Sequence, residues 1–263
     1  MKSKYGDVSV SLDAHVATLE IDRPPNNHVS VDLMRDLADA LLDLDAEGDC
    51  RAVLLVTAGR VFCGGADLVT PAAAAQSGVS DAAVTGNPLY VEAVRLFSNK
   101  MPIVAAVQGA AIGAGLGLAL VADFRVAAPE ARFAANFVKL GFHPGFGLSH
   151  TLPRLVGRQR AALLMLTGRR IPGDEALAWG LADEVVPLDE LRPAALRLAR
   201  EIAENAPLAV QSTRATLREG LAEAVKAMTD QEFVEQSWLR KTADYREGVR
   251  AVAERRPGAF IGA

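Results

Sequence analysis

Two cysteines, Cys50 and Cys63, and four histidines are scattered over 263 residues without ligand spacing. A structural zinc or iron–sulfur centre needs such residues in close pairs, so no metal site is expected, and two isolated thiols fit a reduced compartment. A basic surplus is missing as well. The formal charge of −4 argues against general nucleic-acid binding, although local basic clusters could receive a polyphosphate. No apolar run reaches the length of a bilayer span before glycine, proline or charge breaks it, so no membrane segment is expected. Met1-Lys-Ser-Lys4 begins the chain without an apolar segment and cleavage site, which makes a cytoplasmic location the default.

What the chain has instead is small apolar residues, and glycine placed between strands and helices. Gly109 to Asp123 reads GAAIGAGLGLALVAD, and follows the strand-length apolar run Met101 to Gln108. A glycine turn there lets a ligand approach the backbone, and the first amides of the next helix have no carbonyl partners of their own. Such amides suit a developing negative charge. The dinucleotide fingerprint fails, because counting from Gly113 gives Gly113, Gly115 and Leu118; no Gly-Lys-Ser/Thr marks a phosphate loop. The pattern of strand, glycine turn and ligand segment occurs earlier too, where Ala52 to Thr57 leads through Ala58-Gly-Arg60 into Val61-Phe-Cys-Gly-Gly-Ala-Asp-Leu68.

Val8 to Leu12 and Val16 to Ile21 predict a hairpin, and Ser30 caps a predicted helix to Glu47 with Leu33, Leu37, Leu41 and Leu44 on one face. Thr70 to Thr85 is alanine-rich without periodicity, either a mobile loop or a surface insertion. A helix is predicted from Pro88 to Lys100. Short strands follow at Asp123 to Ala127 and Ala131 to Ala134, then helices over Gly157 to Thr167 and Gly173 to Gly180. The last third reads as helices over Asp189 to Asn205, Pro207 to Lys226, Asp230 to Thr242 and Tyr245 to Arg255. Strands first and helices last give an α/β class, with a core over 1–200 and a helical C-terminal region over 201–263.

The two glycine segments resemble the two oxyanion-hole segments of the crotonase (enoyl-CoA hydratase/isomerase) superfamily. Arg23-Pro24, Leu140-Gly141 with Pro144, Leu152 to Gly157, Thr167-Gly168-Arg169, Ala176 to Leu181 and Arg246-Glu-Gly248 fall in that family's order. The resemblance implies a spiral of β-β-α units with a trimerising helical C-terminal region, a homotrimer or dimer of trimers, and an acyl-CoA as substrate or ligand with no further cofactor. It places the amides of Ala66 and Ala114 on the thioester oxygen. CoA and acyl contacts would come from Pro25, Asn26, Gly64, Gly65, Asp67, Leu68, Gly113, Gly117, Asn136 and Phe137. Arg255, beside Arg256, and Phe260 resemble terminal contacts that in the family can reach a neighbouring subunit; a charged helix end with a loose tail is the alternative.

The acids depart from that pattern. The family's two glutamates fall on Gly117 and Phe137, and the glutamate of some isomerases falls on Gly145. A positioned acid or base contributes about 10²- to 10⁴-fold, so standard hydratase activity is not expected. His143, in Gly141-Phe-His-Pro-Gly145, could exchange protons near neutral pH or simply hold a turn. His150 is a weaker candidate, Asn136 could orient a polar acyl group or cap a turn, and Asp123 reads as structural. The expectation is an enzyme acting on acyl-CoA through an enolate, as hydratase, isomerase, decarboxylase or hydrolase; the alternative is an acyl-CoA-binding protein without catalysis.

Overall fold

The computed structural model describes residues 1–68 and 86–263. The segment Thr70 to Thr85 lies outside the described residues. The main sheet has the strand order β1-β2-β3-β4-β5-β7-β10. Its strands are Lys4–Tyr5 (β1), Val8–Asp13 (β2), Val16–Ile21 (β3), Ala52–Thr57 (β4), Ile103–Val107 (β5), Phe124–Ala127 (β7) and Glu184–Val185 (β10). The predicted hairpin forms with Val8 opposite Ile21, and from β3 onward every pairing is parallel. Strand β4 is buried at all six positions, because layers cover both of its faces. On one face lies helix α1 (Val31–Ala46), capped by the Ser30 hydroxyl on the Leu33 amide, with Leu33, Leu37, Leu41 and Leu44 buried. On the other, Val104, Ala106 and Val126 pack against Leu191, Ala194, Ala195 and Ala199 of the helix Leu191–Ala203. A small second sheet joins Ala110–Ile112 (β6), Arg132–Ala134 (β8) and Ile171–Pro172 (β9).

Three boundaries differ from the sequence reading. The helix α2 that starts after the Asn87 cap runs Pro88–Arg95 and stops short of Lys100. The central glycine segment inserts β6 before its helix α3, which spans only Ala114–Ala119. Near the C terminus the chain breaks at Gly220, with φ +71°, and one helix then runs Leu221–Leu239 through the break expected near Ala227 to Thr229. Three of the four buried residues of that helix, Thr229, Glu232 and Gln236 beside Val225, are polar, so apolar periodicity marks it poorly.

Asp123 ties the C-terminal region to the sheet. Its carboxylate accepts from the Ile103 amide at 2.8 Å, from Arg214 Nε at 2.9 Å and from Arg218 Nη1 at 2.9 Å. Asp123→Ala would leave two largely buried guanidinium groups uncompensated. Given the residual exposure of all three groups, the expected loss is about 2–3 kcal/mol, read from denaturant melts. An unchanged midpoint would remove this ion-pair cluster from the account.

Candidate functional site

The two glycine segments meet at the backbone. Val61 to Leu68 leaves β4 and runs beside β6, with the Cys63 amide on the Ala110 carbonyl at 2.9 Å and the Ile112 amide on the Cys63 carbonyl at 3.0 Å. A Cβ at Gly65, where φ is +82°, would lie 2.5 Å from the Ile112 carbonyl oxygen, and one at Gly115 would lie 2.1 Å from that of Cys63. Only glycine permits both approaches. The contact sets Ala66, just after the first glycine pair, across from Ala114 at the start of α3. Among the described residues, neither amide donates to an acceptor of the protein.

Both residues line one cavity of about 550 Å³. Of the other positions singled out in the sequence, Asn26, Gly64, Gly65, Asp67, Leu68, Gly113, Asn136, Phe137 and Arg255 line it too. Pro25, Gly117, His143 and Phe260 are not among its lining residues. The His143 ring meets the Pro144 carbonyl oxygen at 2.9 Å, and the buried Nε2 of His150 has no partner among the described residues. Burial first, and then Arg154, pull the His150 ring below its ordinary value. Arg256 is tied to Glu247, away from the cavity.

Aromatic rings fill the space at or beside Gly117, Phe137 and Gly145. A Cβ on Gly117 would lie 2.5 Å from Cδ1 and 2.7 Å from Cγ of Phe146. Phe137 is buried in an edge-to-face pair with Phe142, the ring centroids 5.5 Å apart, and Phe142 packs in the same way on Tyr245. A Cβ on Gly145 would lie 1.8 Å from the hydroxyl oxygen of Tyr90. That hydroxyl donates to Gln236 Oε1 at 2.9 Å, while Gln236 Nε2 donates to the carbonyls of His143 at 2.9 Å and Pro144 at 3.1 Å. Burial raises Tyr90 above its ordinary value, so the phenol stays neutral. Burial likewise pushes the Cys63 thiol up to about 12, which keeps it from acting as a nucleophile near neutrality. Asp67 is the only carboxylate that lines the cavity among the described residues.

A carboxylate just behind these rings has a structural task. Glu232 accepts from the Gly147 amide at 2.7 Å and the Ser149 amide at 3.0 Å, capping the helix Leu148–Val156 from across the fold. Its burial raises its carboxyl above the ordinary range. A raised folded-state value contributes stability that is present below the unfolded value and lost as pH rises through the folded one. Relative to Glu232→Gln, the wild type should therefore gain stability as pH falls from 7.5 toward 5; parallel melting curves would contradict this.

The enoyl-CoA hydratase/isomerase family model matches residues 11–262. The chain belongs to this family, the crotonase superfamily. Among enoyl-CoA hydratase/isomerase relatives, "Probable enoyl-CoA hydratase EchA14" of Mycobacterium tuberculosis is 38% identical over 221 residues, 82% of this chain and 83% of its own. The 1,2-epoxyphenylacetyl-CoA isomerase of Escherichia coli is 32% identical over 253 residues, covering 95% of this chain and 97% of that protein. The crystal structure of an enoyl-CoA hydratase/isomerase from Pseudoalteromonas atlantica superposes with a TM-score of 0.85 at 32% identity, over 97% of this chain and all of that one. The mixed α/β architecture is thus the crotonase fold, as its glycine segments led one to expect. Among the described residues no helix is long and apolar enough to cross a membrane, and no group of three or more Cys, His, Asp or Glu is placed to hold a metal.

Sequence reasoning missed His28, Asn87, Tyr90, Arg170 and Arg240, all of which line the cavity. His28 alone left a trace in the sequence, since it follows Asn26 in the stretch after Arg23-Pro24. Tyr90 reaches Gln236 across a separation of 146 residues, which no local pattern encodes.

Proposed function

We propose that the chain binds an acyl-CoA with its thioester oxygen between the amides of Ala66 and Ala114, and acts on it through an enolate-type intermediate. The observation that carries this reading is the pair of uncommitted amides on abutting segments, both on the wall of one cavity. A carbonyl placed there would accept two hydrogen bonds, and these strengthen as the oxygen gains charge on the way to an enolate. Because both donors are backbone groups fixed by the packing, little reorganisation accompanies that step. The CoA thioester is the substrate or ligand, and no further cofactor is proposed.

Addition of water across a double bond would need a proton donor and a proton acceptor, and Gly117, Phe137 and Gly145 supply neither. A reaction whose electron pair comes from a breaking carbon–carbon bond, such as loss of carbon dioxide from a 2-carboxyacyl thioester, needs the polarised carbonyl and no base, and the enolate left behind takes its proton from solvent water. Double-bond migration or hydrolysis would have to draw on His28, Asp67 or Tyr90, or on His143 if it moves into the cavity. A second reading, an acyl-CoA-binding protein without turnover, is favoured by the rings of Phe137 and Phe146 where the acids would stand. Assembly as a trimer or dimer of trimers is in keeping with apolar side chains left exposed on the helical parts, among them Leu166, Leu208 and Leu217; a monomeric mass in solution would count against it.

The deciding experiment offers the purified protein 2-enoyl, 3-enoyl, 2-carboxyacyl and 3-hydroxyacyl CoA thioesters, following product mass and saturable binding together. Gain of water, loss of carbon dioxide, double-bond migration or release of free CoA each names a reaction. Tight binding without product across the panel establishes the second reading. Failure to bind any thioester would overturn both.

A further inference from the structure

We propose that His28 is a positioning residue for the Ala66 amide: its ring donates to the Gly65 carbonyl, and so orients and polarises the one peptide unit whose N–H faces the thioester. This rests on the reading of that amide given above. The Gly65 C=O and the Ala66 N–H are the two ends of a single peptide group, coupled by its resonance. A hydrogen bond accepted at the oxygen draws electron density from the nitrogen and makes the N–H a stronger donor.

Two donors meet that oxygen. The Val29 amide reaches it at 3.0 Å and His28 Nδ1 at 3.0 Å. A carbonyl oxygen can only accept, so Nδ1 carries the proton. The far side of the ring is held as well, with Asn26 Nδ2 at 3.3 Å from Nε2, and a Cβ on Gly64 would lie 2.9 Å from the ring's Cε1. The imidazole is thus fixed on two edges, with its donor aimed at one atom.

Gly65 needs that constraint. With φ at +82° and no side chain, its following peptide has more freedom to rotate than that of any other residue type. Rotation would turn the Ala66 N–H away from the cavity. Two hydrogen bonds on the carbonyl hold the opposite end and thereby the N–H. At the second amide the helix does the same work: the Gly113 carbonyl, which shares a peptide group with the Ala114 N–H, accepts from the Gly117 amide at 3.1 Å. Ala66 opens no helix, and a side chain from the preceding loop takes that role.

The test uses butyryl-CoA labelled with ¹³C at the thioester carbonyl, bound to the intact protein and read by isotope-edited infrared difference spectroscopy. Wild type should shift the carbonyl stretch to lower frequency than in free butyryl-CoA. His28→Phe, which keeps a ring but has no donor, should lose about 10–30% of that shift, the share expected for one cooperative hydrogen bond. His28→Asn, whose amide carries a donor at similar reach, should keep it. If the phenylalanine variant does not fold, His28→Leu replaces it, since leucine matches asparagine in shape without the donor. For whichever reaction the substrate panel reveals, the donor-free variant should lower kcat about threefold to tenfold, with KM changed less than kcat. A full shift in the donor-free variant overturns the inference and leaves the oxyanion reading intact. Equal losses in the asparagine and donor-free variants make His28 a packing residue and overturn it too. Bound butyryl-CoA with no shift in wild type sinks the oxyanion reading itself.

Discussion

Ala114→Pro is expected to lower turnover of the cognate acyl-CoA about 10²- to 10³-fold while leaving the fold in place. Proline removes one atom that matters, the amide hydrogen, at a position where a helix tolerates the exchange. Ala114 is the first residue of α3, and proline is at home at the first helical position because its fixed φ suits the helix and the N–H there has no internal partner. Among the described residues nothing accepts from this amide, so no hydrogen bond within them is broken. The melting temperature should therefore move by only a few degrees. Binding of a saturated acyl-CoA should weaken less than turnover, about fivefold, because the uncharged thioester makes an ordinary hydrogen bond worth about 1 kcal/mol. A variant that loses binding and turnover equally would mean that the amide serves recognition alone. One that loses neither would take Ala114 out of the site.

The legible part of this site is the part made of backbone. Glycine at 65, 113 and 115 marks where chain must approach chain or ligand, and the order of the glycine segments along the sequence carried the family. The same holds for α1, where leucines at helical spacing under a serine cap are a local signal. At the positions that the resemblance aligned with acids, the chain states that 117 is glycine and 137 is phenylalanine, and leaves unsaid what fills the space. Phe146 reaches Gly117 and Tyr90 reaches Gly145 through tertiary packing. Helix Leu221–Leu239 was misplaced because its inward face carries Thr229, which bonds back to the Lys226 carbonyl, and Glu232 and Gln236, whose partners lie far away in sequence. Polar groups buried for a neighbour's benefit look like surface until the neighbour is known.

Those rings set a limit on restoring hydratase chemistry by a single substitution. Gly117→Glu puts an acid where the proposed reading lacks one, yet the stability of the fold is expected to fall by about 4 kcal/mol or more. The new Cβ would meet the Phe146 ring well inside contact distance, in a helix whose residues Ala114 to Ala119 are all buried. Overpacking alone costs about 1–3 kcal/mol, and a carboxylate buried there without a cationic partner adds several more or takes up a proton. Phe146 is also the residue to change, because it holds a φ of +65°, where glycine rests without strain. Phe146→Gly by itself should destabilise, since the emptied ring volume outweighs the relieved strain, at about 2–4 kcal/mol. Combined, the two substitutions should cost at least about 2 kcal/mol less than their sum, because the second clears the space that the first needs. Chemical-denaturation midpoints of the four proteins give this coupling directly. Strict additivity would mean that Phe146 does not fill the place a side chain at 117 would take, and its ring would not be what keeps an acid out of that position.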